Sequence, residues 1–372
     1  MKKSFEELKV AKSILKTLDE IGFVKPTPIQ EEAIPVINSG INVVGIAQTG
    51  TGKTAAYLLP ILSKLQKPEG IDPRALVLVP TRELSIQVGE DVAELTSFSE
   101  LRHAAVYGGI GWTKHAELLA PGIDILVSTP GRLMDLYQAG VLSLKKIKYL
   151  VIDEADRMLD MGFLPQLKKL LDILPPKRQN LLFSATFSSE IETLAEEFLD
   201  FYEKLEVSPS ATPVQEVQQV AYKVPNFRTK LKLLQHLLQD EDSYSRVVIF
   251  VKTKEHADSV YKVVQRKSEG EIRILHSNKG QSSRINSIQA FKKGEVRILI
   301  TTDVSARGMD VSLVTHVINF DVPPNYEDYV HRIGRTARAG NKGDAITFVD
   351  PSEEWHWKKI GELIRTEIIP GD

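Results

Sequence analysis

Two short stretches carry residues whose types and spacing could do chemistry. In AQTGTGKT, residues 47–54, Gly50 and Gly52 let the backbone turn its N–H groups toward an anion. Lys53 adds a positive charge and Thr54 a hydroxyl. The spacing is that of a phosphate grip, G-x-x-x-x-G-K-[ST], with Ala47 where the first glycine belongs. Thr49, Gly50, Thr51, Gly52, Lys53 and Thr54 would wrap the phosphates of a nucleotide, with Lys53 on the β and γ groups and Thr54 on Mg²⁺. The second stretch is YLVIDEADRML, residues 149–159, where an apolar run from Tyr149 to Ile152 delivers Asp153, Glu154 and Asp156. Three acids alone also fit a solvated loop after a strand. The phosphate grip decides for chemistry: Asp153 would hold Mg²⁺, directly or through water, and Glu154 would orient and deprotonate an attacking water. A generic nucleotide hydrolase has no need of Asp156, for which a structural partnership and a role in coupling both stand.

Positioning such groups requires a sheet whose strand ends converge. Short apolar runs at 41–47, 75–80, 103–108, 124–129, 149–153 and 180–186 alternate with helical patterns, and a second series follows at 218–224, 246–252, 272–276, 296–301, 314–320 and 345–350. Alternation of this kind predicts parallel sheets with helices on both faces. Between the series, VSPSATPVQEV reads as a linker. The expected fold is α/β, two tandem domains at 1–208 and 218–372 joined by 209–217, alike in architecture though not in sequence. After Phe348, Asp350 as cap, Pro351 at the first helical position and Glu353 reaching back predict a helix start.

Composition narrows the class. The 372 residues are 42% hydrophobic and 26% charged, which suits two ordinary soluble domains. No run of 18 apolar residues is available to span a bilayer, and MKKSFEELKV lacks the apolar core of a signal peptide. With no cysteine, disulfides and thiolate metal sites are excluded, and a reducing compartment, the cytoplasm, is expected. The net charge of −2 means that any polyanion must be met by placed residues and not by an overall field.

Taken together and in order along nearly the whole chain, the motifs resemble the DEAD-box RNA helicases, named for the string Asp153-Glu154-Ala155-Asp156. GFVKPTPIQ at 22–30 resembles the family's adenine-reading motif, with Phe5 as its isolated upstream aromatic. PTREL at 80–84, the glycines at 108–109 and TPGR at 129–132 match its first-domain RNA contacts, and SAT at 184–186 its segment linking hydrolysis to strand separation. VIFVKTK at 248–254, Gln281 with Arg284, TTDVSARGMD at 301–310 and HRIGRTARAG at 331–340 complete the set.

The resemblance implies two RecA-like domains and assigns roles residue by residue. Gln30 would match the donor and acceptor edge of adenine, with Phe23 and Lys25 against the base. Gly308 and Asp310 would meet ATP from the second domain. Arg335 and Arg338, three apart and on one face if helical, would stabilise γ-phosphate charge in the transition state. Arg82, Arg132 and Arg284 would meet RNA phosphates, Gly109 would permit close backbone approach, and Thr81, Thr129 and Thr301 would bond phosphate or ribose oxygens. Ser184, Thr186 and His331 would couple the sites. Ser85 and Ser305 stand where the family usually has Ala, and Ala337 where it has Gly, which bears on turnover rate.

The expected activity is RNA-dependent ATP hydrolysis with local duplex opening, by a monomer whose RNA target depends on its core or on partners, since the chain carries no long tail. An ATP-gated RNA clamp and a DNA translocase are the competing readings; RNA-stimulated phosphate release and a comparison of RNA with DNA separate them.

Overall fold

The computed structural model describes residues 3–48, 50–199, 201–207, 217–266, 270–276, 281–303, 314–324, 326–336, 343–364 and 369–370. The chain divides into two compact units, Met1–Ser208 and Pro209–Asp372. Of the expected linker only Val217 is among the described residues, and it opens a strand.

In the first unit the strands are β1 (Asn42–Ile46), β2 (Ala75–Leu78), β3 (His103–Val106), β4 (Ile125–Ser128), β5 (Tyr149–Ile152), β6 (Gln179–Ser184) and β7 (Tyr202–Glu206). All pair in parallel, in the order β3-β4-β2-β5-β6-β1-β7. Around them lie α1 (Lys12–Glu20), α2 (Pro28–Asn38), α3 (Lys53–Leu65), α4 (Arg82–Leu95), α5 (Trp112–Leu119), α6 (Pro130–Gln138), α7 (Ala155–Asp160), α8 (Leu164–Ile173) and α9 (Ser189–Phe198). Successive strand residues point to opposite faces, so each strand feeds two cores. Val43, Val77, Val151 and Phe183 pack into one. Val44, Leu76, Leu150, Ile152 and Leu182 pack into the other. This is why the strands read as continuous apolar runs and do not alternate.

The second unit holds β8 (Val217–Lys223), β9 (Val247–Val251), β10 (Ile272–Leu275), β11 (Ile298–Thr302), β12 (His316–Asn319), β13 (Gly343–Val349) and β14 (Ile369–Pro370). Its helices are α10 (Phe227–Leu237), α11 (Lys254–Val264), α12 (Gln281–Lys292), α13 (Tyr326–Ile333) and α14 (Glu354–Leu363). The strand order is β10-β11-β9-β12-β13-β8-β14, again parallel throughout. Numbered within its own unit, each sheet runs 3-4-2-5-6-1-7. The two units share one topology.

The helix expected to begin at Pro351 begins at Glu354. Glu353 does reach back, its Oε2 accepting from the Asp350 N–H at 3.3 Å. That same carboxylate is drawn inward by the fully buried Lys230, whose Nζ lies 2.5 Å from Glu353, 3.1 Å from Asp350 and 3.4 Å from Asp321. A buried ammonium requires such partners, and meeting it holds residues 351–353 in a turn.

Candidate functional site

The carboxyl edge of the first sheet carries the chemistry, and the strand order sorts it. β5, β6 and β1 are neighbours and end in Asp153, in SAT and in the phosphate grip. β3, β4 and β2 are neighbours and end in the loop 107–111, in TPGR and in PTREL. Residues spread along the chain from Ala47 to Thr186 are thereby gathered into two adjoining groups.

In the first group, Gly52 stands at the N-cap of α3 with φ of 90° and Lys53 is the first helical residue. A side chain at Gly52 would be strained by that φ and would also run into the Gln30 amide nitrogen. Lys53 is 6% exposed, and among the described residues its Nζ has no hydrogen-bond partner. Asp153 is buried; its Oδ2 accepts from the Tyr57 hydroxyl at 2.8 Å and its Oδ1 from the Glu154 N–H at 2.9 Å. Burial pushes the Asp153 carboxyl up to about 6, against the pull of the Lys53 charge and with a further push from Glu154. Burial and the adjacent Asp153 hold the Tyr57 hydroxyl well above its ordinary range. A buried ammonium without a partner and a buried carboxylate resisting its own charge suit an anion and a cation that arrive together. Phosphates with a hydrated Mg²⁺ are such a pair, with Lys53, Thr54 and Asp153 as the residues that would hold them.

Tyr57→Phe should raise the Asp153 titration above its value of about 6, because the hydroxyl's bond favours the charged carboxylate. Carboxyl carbon shifts followed across pH measure this, and an unmoved midpoint would show that the bond contributes nothing.

Glu154 takes a left-handed backbone (φ 52°, ψ 50°) at the N-cap of α7, a conformation uncommon for a residue with a Cβ. Its Oε2 accepts from Arg157 Nη1 at 2.7 Å, and both side chains are buried. Asp156 makes a structural bridge: its Oδ2 accepts from the Ala185 N–H at 3.1 Å, the Thr186 N–H at 3.2 Å and the Thr186 hydroxyl at 3.3 Å. The acid a generic hydrolase does not need ties the acidic string to SAT. Ser184 ends β6, fully buried, with no bonding partner for its hydroxyl among the described residues.

Beside the grip lies a cavity of about 390 Å³ lined by Phe23, Lys25, Thr27, Gln30, Gly52 and Thr54, among others. Phe23 is 42% exposed and so is not core. Phe5, the isolated upstream aromatic, is buried among the apolar residues of the first core and is not in the lining. Gln30 is buried and already engaged: its Oε1 accepts from the Thr27 N–H at 3.0 Å and its Nε2 donates to the Gly52 carbonyl at 3.1 Å. The amide thus closes the start of α2 and braces the grip. One lone pair and one N–H remain for a base edge.

In the second group, Thr81 caps α4 by accepting from the Leu84 N–H at 3.2 Å, and Thr129 stands at the N-cap of α6. Gly109 has φ of 91°, and a Cβ there would meet the Arg82 guanidinium. Arg132 donates to the carbonyls of Tyr107 at 3.3 Å and Ile110 at 2.8 Å. Arg82, Gly109 and Arg132 therefore meet around one loop. Ser85 is fully buried, and its hydroxyl reaches the Val127 carbonyl at 3.5 Å.

In the second unit, Thr301 is fully buried and its hydroxyl donates to the Thr302 carbonyl at 3.1 Å, so it offers nothing to solvent as it stands. Arg284 lies on α12, half-buried. Arg335 follows α13 in a turn, not on a helix; it is buried, and its Nε donates to the His331 carbonyl at 3.2 Å. The helix expected to place Arg335 and Arg338 on one face ends at Ile333. Thr49, Ser305, Gly308, Asp310, Ala337 and Arg338 lie outside the described residues, as does the side chain of Gln281.

Sequence reasoning passed over Tyr57, Arg157 and the pair Asp303–Arg332. Arg332 is almost fully buried and forks onto both Asp303 oxygens at 2.6 Å, while also reaching Asn319 Oδ1 and the Asp321 carbonyl. It joins the TTD and HRIGR stretches. The signals were present: a hydroxyl within the apolar run AAYLLP, an arginine three residues after Glu154, and an arginine beside His331.

A family model described as DEAD/DEAH box helicase matches residues 27–194, and one described as Helicase conserved C-terminal domain matches residues 229–340. The DEAD-box ATP-dependent RNA helicase RhpA of Helicobacter pylori is 40% identical over 367 residues, covering 99% of this chain and 74% of that protein. The human protein called probable ATP-dependent RNA helicase DDX46 is also 40% identical, over 99% of this chain but 36% of its own length. Among solved structures, S. cerevisiae Dbp5 bound to RNA and ADP BeF3 is similar with a TM-score of 0.88 and 32% identity, over 99% of this chain and 95% of that one.

Proposed function

The chain belongs to the DEAD-box family of ATP-dependent RNA helicases, and on that premise we propose how its residues divide the work. It hydrolyses ATP on binding RNA and opens short duplexes locally. The observation that carries this reading is the buried Lys53, without a hydrogen-bond partner among the described residues, beside Asp153 and one strand group away from the loop that Arg132 bonds and Arg82 lies against.

Lys53 and the helix N-terminus behind Thr49 to Thr54 bind the phosphates. Mg²⁺, held by Thr54 and Asp153 partly through water, supplies charge neutralisation of the phosphates when bound. Glu154 takes the proton of the attacking water. The cavity beside Gln30 takes the adenine, with Phe23 and Lys25 at its face. Thr81, Arg82, Gly109, Thr129 and Arg132 meet the RNA backbone on the first unit, and Arg284 and Thr301 on the second, where Thr301 must first turn its hydroxyl outward. Gly308, Asp310, Arg335 and Arg338 are proposed to complete the ATP site when RNA draws the two units together, with Ser184, Thr186 and His331 relaying that change. We place this activity in a monomer of the cytoplasm, a compartment that suits a chain without cysteine.

Gln30 fixes the base. The parental protein should prefer ATP to GTP strongly, and Gln30→Ala should erode that preference through loss of about 1 to 3 kcal/mol of paired edge groups. Because Gln30 also braces Gly52, the variant should weaken binding of both nucleotides as well. Parallel ATP and GTP titrations test this, and equal use of GTP by the parent ends the assignment. The function as a whole is tested by phosphate release without nucleic acid, with single-stranded RNA and with DNA of matched sequence. Stimulation by RNA alone is expected. Stimulation by DNA favours the translocase reading, and RNA binding without phosphate release favours the clamp.

A further inference from the structure

Loops at the carboxyl edge of the second sheet meet on one carboxylate. Asp321, just after β12, is 2% exposed. Its Oδ2 accepts from the Lys252 N–H and from His256 Nδ1, each at 2.8 Å. Its Oδ1 lies 3.4 Å from Lys230 Nζ, and its carbonyl accepts from Arg332 Nη1 at 2.7 Å. Since β12 is the fifth strand of its unit, Asp321 is the counterpart of Asp153. Lys53 has no hydrogen-bond partner among the described residues, whereas the second unit closes the corresponding edge with its own charges.

Those charges balance poorly without a proton on His256. The carboxylates of Asp303, Asp321, Asp350 and Glu353 are paired with the permanent cations Lys230 and Arg332. A protonated His256 adds a third positive charge, and at 36% exposure its ring is the member most open to solvent. It faces Asp321 from the loop after β12, Lys230 and the Phe227 ring from α10, and Glu353 from the turn before α14, with Lys254 and Glu255 beside it on α11. The bond to Asp321 raises it above its ordinary value of 6.5, against burial and the Lys230 charge. A neutral ring keeps the Nδ1 proton that faces the carboxylate and gives up the one on Nε2, so the charge is lost and the bond is kept.

The braced segment adjoins the strand end that carries Thr301. β11 pairs with β9 so that Thr302 matches Val251, which sets Lys252 next to Asp303. Asp303 in turn receives the Arg332 fork, and Lys252 and Lys254 are exposed cations. We propose that His256 is a proton-operated positioning residue: protonated, it completes the charge balance at Asp321 and holds residues 252–254 beside the Thr301 strand end for RNA; neutral, it lets them loosen. It acts through Asp321 and not on RNA directly. The inference rests on the reading of Thr301 as an RNA contact. Because the folded-state value is raised, the brace is complete below pH 6.5 and is lost as the pH rises through the higher folded value.

The experiment compares the parent chain with His256→Asn, whose amide keeps a donor toward Asp321 and does not titrate, from pH 6 to 8.5 at one salt concentration. Three quantities are followed: the Kd of single-stranded RNA, the melting temperature without RNA, and the imidazole proton signal that the variant lacks. The parent's Kd should weaken about threefold across the range beyond any change in the variant, the scale of a half-exposed charge pair. Its melting temperature should fall by about 2 °C relative to the variant's. The imidazole midpoint should lie above 6.5. Parallel pH curves for parent and variant overturn the proposal, as does a midpoint at or below 6.5. A step in RNA binding with none in melting shows His256 meeting RNA directly, which also overturns the brace. A parent that binds no RNA at any pH, yet shows the melting and imidazole steps, sinks the RNA reading and supports the brace. If His256→Asn has no melting transition, His256→Gln takes its place with the same expected results.

Discussion

Arg335→Ala should lower RNA-stimulated ATP turnover by roughly 10³-fold or more, the scale on which arginine fingers act in phosphoryl transfer. The first unit's own affinity for ATP should stay nearly intact. The distinction follows from where the charge is needed: an interaction made only in the transition state lowers kcat and kcat/KM together and leaves ground-state binding alone. Arg335 is buried in a turn after α13 and bonded to the His331 carbonyl, so its removal also tests packing. Arg335→Lys keeps the charge but loses the planar fork and should recover only a small part of the rate. Binding of a fluorescent ATP analogue and single-turnover phosphate release on one preparation separate the two effects. A loss of ATP affinity that accounts for the whole loss of turnover would place Arg335 in binding and not in catalysis.

Glu154→Gln should lower turnover by roughly 10² or more while sparing nucleotide binding, since general-base contributions are of that order. The substitution is close to isosteric, and the amide can still accept from Arg157. The carboxylate at Asp153 is untouched, so the residues proposed to hold the phosphates and Mg²⁺ stay in place. Near-parental hydrolysis by this variant would show that another group takes the proton.

Much of this architecture was legible because burial on both faces writes itself into composition. β2, β5 and β9 are four or five apolar residues in a row with turn signals around them, and each was found within a residue or two. β7 was not. Its sequence, YEKLE, has Leu205 as its one buried residue, because it is an edge strand with solvent on one side. β14 is two residues long and gives no pattern at all. The shared strand order was equally invisible, since it depends on which crossover packs where and on no local residue.

The site divides in the same way. The grip and the acidic string are local in sequence and were read directly. Arg157 was missed although Glu154 is only three positions away, but the other missed residues depend on partners brought in from afar: Tyr57 reaches Asp153 across 96 positions, and Arg332 reaches Asp303 across 29. Phe5 has nothing in its flanks to mark it as a core position, and the structure buries it there. Gln30 was read for one task and does two others, because a single amide can serve a helix cap and a loop before any ligand arrives.

The central claim is that one protein couples an ATP site to an RNA site. Linkage makes it directly measurable: if RNA tightens ATP binding by some factor, ATP must tighten RNA binding by the same factor. The measurement is the Kd of single-stranded RNA with and without a saturating non-hydrolysable ATP analogue, set against the Kd of that analogue with and without RNA, on the same preparation and at one salt concentration. Equal factors, both well above one, are the predicted result. Two affinities that ignore each other, with each factor equal to one, would contradict the account.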